Sequence, residues 1–276
     1  MTLMELYSFC TEELLFTGCG NFEALCLIED ILGYSKNNIY LDNVFVTDEQ
    51  VDVIKNAVNR RKSGEPLQYI LGKWDFYDLT FSVGEGVLIP RPETEMLVDF
   101  ALEKLKNIEN PVVYDLCSGT GCIGLTVAKH RKDATVYLLE KERKALKYLL
   151  KNKVDLGLDN VIVIYDDLFK VDLSLFQNAD LILSNPPYIN SNEINLLQKE
   201  VLFEPTTALD GGNDGLDFYR CLADRWIHKV KNNGFVALEC GEEQSKSIVD
   251  IFNDKYIESN VIFDFNNIDR IVTFRI

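Results

Sequence analysis

Val112-Val113-Tyr114-Asp115-Leu116 is an apolar run of strand length, followed at once by Cys117-Ser118-Gly119-Thr120-Gly121-Cys122-Ile123-Gly124. Gly119, Gly121 and Gly124 satisfy G-x-G-x-x-G, and Ile123, Leu125, Val127 and Ala128 continue as a helical pattern. A strand that turns through glycines into a helix is a βα unit, and such units build parallel sheets with helices on their faces. The glycines let backbone approach a ligand, and the helix start offers free N–H groups.

Three further strand-like runs end in polar residues. Thr135 to Leu139 ends at Glu140, Val161 to Tyr165 ends at Asp166-Asp167-Leu168, and Leu181-Ile182-Leu183 is followed, one residue on, by Asn185-Pro186-Pro187-Tyr188. Open α/β sheets place their ligands at the C-terminal ends of strands. Glu140 there can accept both hydroxyls of a ribose, and Asp167 with Leu168 can hold an adenine amino group and cover its ring. Proline cannot donate to a ladder and restricts the residue before it, so Asn185-Pro186-Pro187 is a stiff extended turn. It offers an amide, free carbonyls and a flat ring to a planar NH2 group. A dinucleotide would account for the first two strand ends but not for the last two. S-adenosylmethionine accounts for all four: methionine part at Asp115 and Cys117 to Gly121, ribose at Glu140, adenine at Asp167-Leu168, reactive methyl facing Asn185.

Residues 1–75 read as helices and, being too small for the catalytic part, as a docking domain. Leu3, Leu6, Tyr7, Cys10, Leu14 and Leu15 recur at helical spacing, as do Phe22, Leu25, Ile28, Ile31 and Leu32, and Thr47 with Gln50 forms a capping-box pattern. Residues 76–90 read as a hairpin linker, with Gly84 and Gly86 as turn residues. The alternating segment from 91 to 276 forms the second domain. Its last two strands, Val261 to Phe265 and Ile271 to Ile276, are too close for a crossover helix and should pair antiparallel at one edge. A mostly parallel seven-stranded sheet with a reversed edge strand is expected, with a helix over Phe218 to Val230. The glycine-rich stretch 189–216 is long enough to wall a site.

The net charge of −16 disfavours a grip on a nucleic acid backbone. Residues 1–75 hold 6 Lys and Arg against 12 Asp and Glu, so neither part is basic. The basic stretch Lys141, Arg143, Lys144, Lys147, Lys151 and Lys153 reads as a solvated helix face. Seven cysteines form no C-x-x-C pair, which points to reduced, packing thiols and no metal site. His130 and His228 fall in or at the end of helical patterns, away from the strand ends. No run is long and apolar enough to span a membrane, and with no basic start or cleavage site a cytoplasmic location is expected.

The segments Gly64-Glu65-Pro66-Leu67-Gln68-Tyr69-Ile70-Leu71-Gly72, Ile89-Pro90-Arg91-Pro92-Glu93-Thr94-Glu95, Asp115 to Gly121, Asn185 to Tyr188, Phe203-Glu204-Pro205, Asp210-Gly211-Gly212 and Asp269-Arg270 resemble those of the HemK/PrmC protein-glutamine N5-methyltransferases. The Asn-Pro-Pro-Tyr segment by itself is shared with adenine-N6 DNA methyltransferases, and a ribosomal-protein glutamine methyltransferase would use the same chemistry. The resemblance implies a Rossmann-like S-adenosylmethionine-dependent fold and, as substrate, the glutamine of the Gly-Gly-Gln loop of peptide chain release factors. It also implies that Cys117, Ser118, Gly119, Thr120, Gly121, Glu140, Leu168 and Asn185 contact S-adenosylmethionine, whose product is S-adenosylhomocysteine. Asn185, Pro186, Pro187 and Tyr188 would hold the glutamine side chain, with Arg91 at the mouth of the site. Asn185 Oδ1 and the Pro186 carbonyl would accept the two amide N–H bonds, and Tyr188 would pack on the amide plane. Cys117 and Ser118 stand where Gly-Thr is commoner in the family, and Glu140 where Asp is common.

Overall fold

The structure is a computed structural model and describes residues 1–41 and 43–276. The chain forms two compact units, Met1–Lys73 with Gln198–Phe203, and Trp74–Leu197 with Glu204–Ile276. No helix among the described residues is long and apolar enough to cross a membrane.

The first unit is helical: α1 (Leu3–Glu13), α2 (Gly20–Leu27) running on into a π-type turn, α3 (Lys36–Leu41), α4 (Asp48–Lys62) and α5 (Leu67–Leu71). Thr47 caps α4 as the sequence suggests: its hydroxyl accepts from the Gln50 N–H at 3.2 Å, and the Gln50 side chain accepts from the Thr47 N–H at 3.0 Å. The face of α2 differs from the expected stripe. Of Phe22, Leu25, Ile28, Ile31 and Leu32 only Ile28 is buried, while Glu23, Ala24 and Leu27 turn inward. The cause is an ion pair. Arg61, buried on α4, donates to both oxygens of Glu23 at 2.8 and 3.0 Å and to Glu200 at 2.6 Å. A buried guanidinium requires such partners, and that requirement sets the rotation of α2.

The second unit is built on a seven-stranded sheet. Its strands are β3 (Val112–Leu116), β4 (Thr135–Glu140), β5 (Val161–Tyr165), β6 (Ala179–Ser184), β7 (Val230–Glu239), β8 (Glu258–Phe263) and β9 (Asp269–Arg275), in the order β5-β4-β3-β6-β7-β9-β8. The first five are parallel, and β9 is antiparallel to β7 and to β8. The reversed strand therefore lies one place inside the edge, and β8 takes the edge. Burial explains the order: Ile271, Val272, Thr273 and Phe274 are buried in succession and need cover on both faces, whereas no residue of β8 is fully buried.

Alternate strand residues serve opposite faces of the sheet. Tyr114, Leu116, Ile182, Val236 and Phe274 pack with Tyr219, Trp226 and Phe252 on one face. Val113, Val136, Leu181, Leu183 and Ala237 pack on the other with α6 (Glu95–Leu105) and α7 (Cys122–His130). Trp226 sits within the first of these clusters, on a helical stretch that is not one α-helix but three short pieces: α9 (Asp217–Cys221), a π turn (Leu222–Trp226) and a 3-10 turn (Ile227–Lys229). The hairpin of β1 (Lys73–Phe76) and β2 (Leu79–Ser82) turns at Tyr77-Asp78, with Tyr77 at φ +59°, and the glycines expected to turn it follow β2 instead. Phe76 and Phe81 are buried in the second unit's core, so residues 76–90 pack as part of it. Asn152 on α8 (Arg143–Leu156) fastens this segment: it accepts from the Ser82 N–H at 2.7 Å and donates to the carbonyls of Ser82 and Thr120 at 3.2 and 3.0 Å.

Candidate active site

The chain leaves β3 toward β4 on one side and reaches β6 on the other, so the C-terminal ends of β3 and β6 flank the switch point of the sheet. The register aligns the strand ends there. Leu116 lies beside Leu139 and Ser184, and Glu140 beside Tyr165, so Cys117, Glu140, Asp166 and Asn185 come to one rim. A cleft with about 930 Å³ of empty space opens above it. Cys117 to Thr120, Glu140, Asp167, Leu168, Asn185, Pro187 and Arg91 line this cleft, as do Thr94, Glu142, Asp166, Pro205, Thr207 and Phe218.

Local chemistry fixes the glycine loop. Gly121 caps α7 in the left-handed region, at φ +82°. A Cβ at Gly124 would stand 2.9 Å from the Asp115 side chain, so the helix packs on its strand only with glycine there. At Gly119, by contrast, an added Cβ would meet only Val87 Cγ2 at 3.9 Å, which leaves open space for a ligand. Cys117 adopts φ +62°, where glycine is at ease and a side chain is strained. Burial, with the charges of Glu140 and Asp115 adding to it, holds its thiol well above its ordinary range, so Cys117 is a neutral wall and not a nucleophile.

Glu140 is buried at the end of β4. Its Oε2 accepts from the Gly119 N–H at 2.8 Å and its Oε1 from the Glu142 N–H at 2.6 Å. Burial raises its pKa against the pull of these bonds. Each oxygen keeps a lone pair for a hydroxyl of a ligand. Asp167 accepts from the Phe169 N–H at 2.9 Å and lies 3.8 Å from Lys141, while the Leu168 carbonyl accepts from Trp226 Nε1 at 3.1 Å.

The other site residues divide into those that reach the cleft and those behind it. Asp115 does not line it. Its Oδ2 accepts from the Gly124 N–H at 2.9 Å, its Oδ1 has no partner among the described residues, and burial raises its pKa to about 7. Gly121, Pro186 and Tyr188 also lie outside the lining. Tyr188 packs against the apolar cluster of the first sheet face, within electrostatic reach of Glu239, Arg270, Arg91 and Cys240, and burial holds its phenol above its usual range. Its backbone is backed by the Asp210-Gly211-Gly212 turn: a Cβ on Gly211 would stand 2.8 Å from both the Pro187 carbonyl oxygen and Tyr188 Cα. Arg91 pairs with Glu204, whose other oxygen accepts from the Ile89 N–H at 3.0 Å, so the Arg-Pro-Glu-Thr-Glu and Phe-Glu-Pro segments are one bonded wall.

Two residues that the strand-end reasoning passed over hold Asn185: Thr94, itself in the lining, and Glu239 behind it. Thr94 Oγ1 donates to Glu239 Oε2 at 2.6 Å and accepts from Asn185 Nδ2 at 3.2 Å. Glu239 is the carboxylate at the end of β7, the same signal that marked Glu140, and desolvation raises its pKa to about 7. Among the described residues no group of three or more His, Cys, Asp or Glu side chains is arranged to hold a metal ion.

Residues 94–212 match the methyltransferase small domain family, and residues 20–72 match the PrmC N-terminal domain family. The release factor glutamine methyltransferase of Thermodesulfovibrio yellowstonii is 39% identical over 255 residues, spanning 91% of this chain and 90% of that protein. The protein of the same name from Fusobacterium nucleatum is 36% identical over 251 residues, spanning 89% of this chain and 70% of that one. A methyltransferase structure from Pyrococcus furiosus shares the fold, with a TM-score of 0.52 and 15% identity over 83% of this chain and 98% of that one.

Proposed function

The chain belongs to the release factor glutamine methyltransferase family, and from that premise we propose that it transfers a methyl group from S-adenosylmethionine to N5 of the glutamine in the Gly-Gly-Gln loop of a peptide chain release factor. The observation that carries this reading is the meeting of Asn185 with Glu140 and the glycine loop on one cleft.

The cleft suits the cofactor. Glu140 offers acceptors for two ribose hydroxyls while its own N–H partners hold it still. Leu168, Phe218 and Ile123 supply apolar walls for a purine, and Asp167 an acceptor for its amino group. Four carboxylates in the lining (Glu140, Glu142, Asp166, Asp167) against two cations (Arg91, Lys141) favour a ligand that carries a sulfonium and an ammonium. Asp115 serves by holding Gly124, and so the start of α7, against β3.

When bound, the cofactor supplies an electrophilic methyl on sulfur. An amide nitrogen is a weak nucleophile because its lone pair is shared with the carbonyl, so the chain's task is placement. Asn185 Oδ1 and the Pro186 carbonyl accept no hydrogen bond among the described residues; Asn185 lines the cleft and its Oδ1 is available to one N–H bond of a glutamine amide, and the Pro186 carbonyl, just outside the lining, would take the second as the substrate seats against the turn. Accepting those bonds aims the nitrogen and stabilises positive charge as it grows there. The surplus proton leaves to water after transfer. Tyr188, held by its packing, shapes the turn that presents Asn185. The helical unit serves as the docking element for the protein substrate, and a net charge of −16 suits a protein partner better than a nucleic acid.

The test is transfer of labelled methyl from S-adenosylmethionine to purified release factor, beside a copy whose loop glutamine is alanine. Label on the first alone is expected. Label on neither, with cofactor binding intact, would overturn the substrate assignment and direct the search to ribosomal proteins.

A further inference from the structure

A side-chain amide has two ends of nearly equal size. Turned one way Asn185 shows an oxygen to the cleft; turned the other way it shows an NH2 group, which would meet the NH2 of a glutamine donor to donor. Sterics alone do not choose between the two. We propose that Thr94 and Glu239 are positioning residues that make the choice, locking Asn185 with its oxygen toward the substrate; the inference rests on the glutamine-methylation reading above.

The logic lies in a count of protons. Glu239 ends β7 and is 4% exposed; Thr94, on the turn before α6, is 2% exposed. The Thr94 hydroxyl has one proton. An ionised Glu239 only accepts, so at 2.6 Å that proton goes to Glu239 Oε2. The Thr94 oxygen then has only lone pairs to offer its other neighbour, the Asn185 amide at 3.2 Å. Its partner must be the NH2 end, and Oδ1 is left for the cleft that Asn185 lines. A charged group thus dictates, through one hydroxyl, which end of the Asn185 amide faces the reaction.

The direction of the chain reverses if Glu239 is protonated. Its own O–H can then donate to Thr94, and the Thr94 proton is released toward Asn185, which favours the turned amide. Burial places this change near pH 7. The groups around Glu239 are Glu93 and Arg91 beside Thr94, Tyr188 on the turn after β6, Arg270 on β9, Cys240 next in sequence, and Cys122 at the start of α7. Tyr219 donates to the Glu239 main-chain carbonyl at 2.8 Å and leaves the carboxylate to Thr94. Burial favours protonation of Glu239; the Thr94 hydrogen bond resists it most, followed by Arg270 and Arg91, and Glu93 favours it.

Thr94→Val keeps the shape and removes the hydroxyl; Thr94→Ala is its smaller companion should Val disturb folding, and Thr94→Ser keeps the hydroxyl. Thermal melting and S-adenosylhomocysteine affinity report whether each variant is folded. With release factor as substrate, Val and Ala are expected to lower kcat about tenfold, the worth of one hydrogen bond at the reacting nitrogen, with KM and cofactor affinity within about twofold and with Ser close to the parent. The parent's kcat should rise as pH passes through about 7, and this limb should flatten in Val. A folded Val or Ala variant with parental kcat and an unchanged pH limb overturns the relay. A second readout needs no substrate. In protein labelled with 15N-asparagine, the Asn185 side-chain NH2 signals, assigned through Asn185→Ala, should move across this pH range in the parent and stay fixed in Thr94→Val. Signals that do not respond overturn the relay even if the release factor is not methylated, and signals that respond without methylation overturn only the substrate assignment.

Discussion

Asp115→Asn tests the electrostatics beneath the glycine loop. Asp115 is fully buried, holds the Gly124 N–H through Oδ2, and leaves Oδ1 without a partner among the described residues. Burial raises its pKa from 3.8 to about 7, the Gly124 N–H opposing the rise and the charge of Glu140 adding to it. A carboxyl whose pKa is raised on folding keeps its proton in the folded chain over a range where the unfolded chain has lost it. Its contribution to stability is therefore complete below the unfolded value and drains away as pH rises toward the folded one. Each pH unit in that window is worth about 1.4 kcal/mol, so going from pH 5 to pH 8 should cost the parent roughly 3 kcal/mol through this group. Asparagine is neutral at every pH and fits the same space. Urea unfolding of both proteins at the two pH values measures the difference. The variant should lose less stability than the parent by that amount, the residual slope coming from Glu239 and Glu140, whose pKa values are raised in the same sense. Equal pH dependence in the two proteins would mean that Asp115 is ionised in the folded chain and would refute the reasoning.

Three other substitutions probe separate parts of the account. Glu140→Gln sets an NH2 group against the Gly119 or Glu142 N–H and removes an acceptor for ribose, so S-adenosylhomocysteine binding by calorimetry should weaken by about 2–3 kcal/mol; a change below about threefold would contradict the ribose assignment. Gly211→Ala places a Cβ against main-chain atoms of Pro187 and Tyr188 and should lower kcat while cofactor affinity holds; parental kcat would show that the Asn185 turn does not depend on this backing. Glu23→Ala leaves Arg61 buried with Glu200 and the Glu65 main-chain carbonyl as its remaining hydrogen-bond partners among the described residues and should cost the chain about 3 kcal/mol, seen in denaturant unfolding, where a loss under about 1 kcal/mol would argue that the pair is dispensable.

The parts of this protein that the sequence discloses are those whose cause is local. A strand followed by glycines, or by Asn-Pro-Pro, carries its own geometry, and parallel register then brings Cys117, Glu140, Asp166 and Asn185 to one rim without further information. The parts it hides depend on partners distant in sequence. Glu23 turns inward because of Arg61, so the apolar stripe of α2 misleads about its buried face. Close spacing reveals that β8 and β9 pair antiparallel, but the order of the two follows from the unbroken burial of Ile271 to Phe274, a property of the assembled sheet. Asp115 looks like a ligand-facing acid at a strand end, yet it lies two residues short of the rim and its carboxylate is spent on the Gly124 N–H. Glu239 carries the same strand-end signal and does reach the site, through Thr94. Position at a strand end is thus visible in sequence, whereas the direction of the side chain is not.

The most direct measurement is mass spectrometry of release factor incubated with the parent protein or with Asn185→Ala, in the presence of S-adenosylmethionine. The account predicts one added methyl on the glutamine of the Gly-Gly-Gln peptide with the parent, and little or none with the variant although it still binds S-adenosylhomocysteine. Methylation on another residue, or equal methylation by the variant, would contradict it.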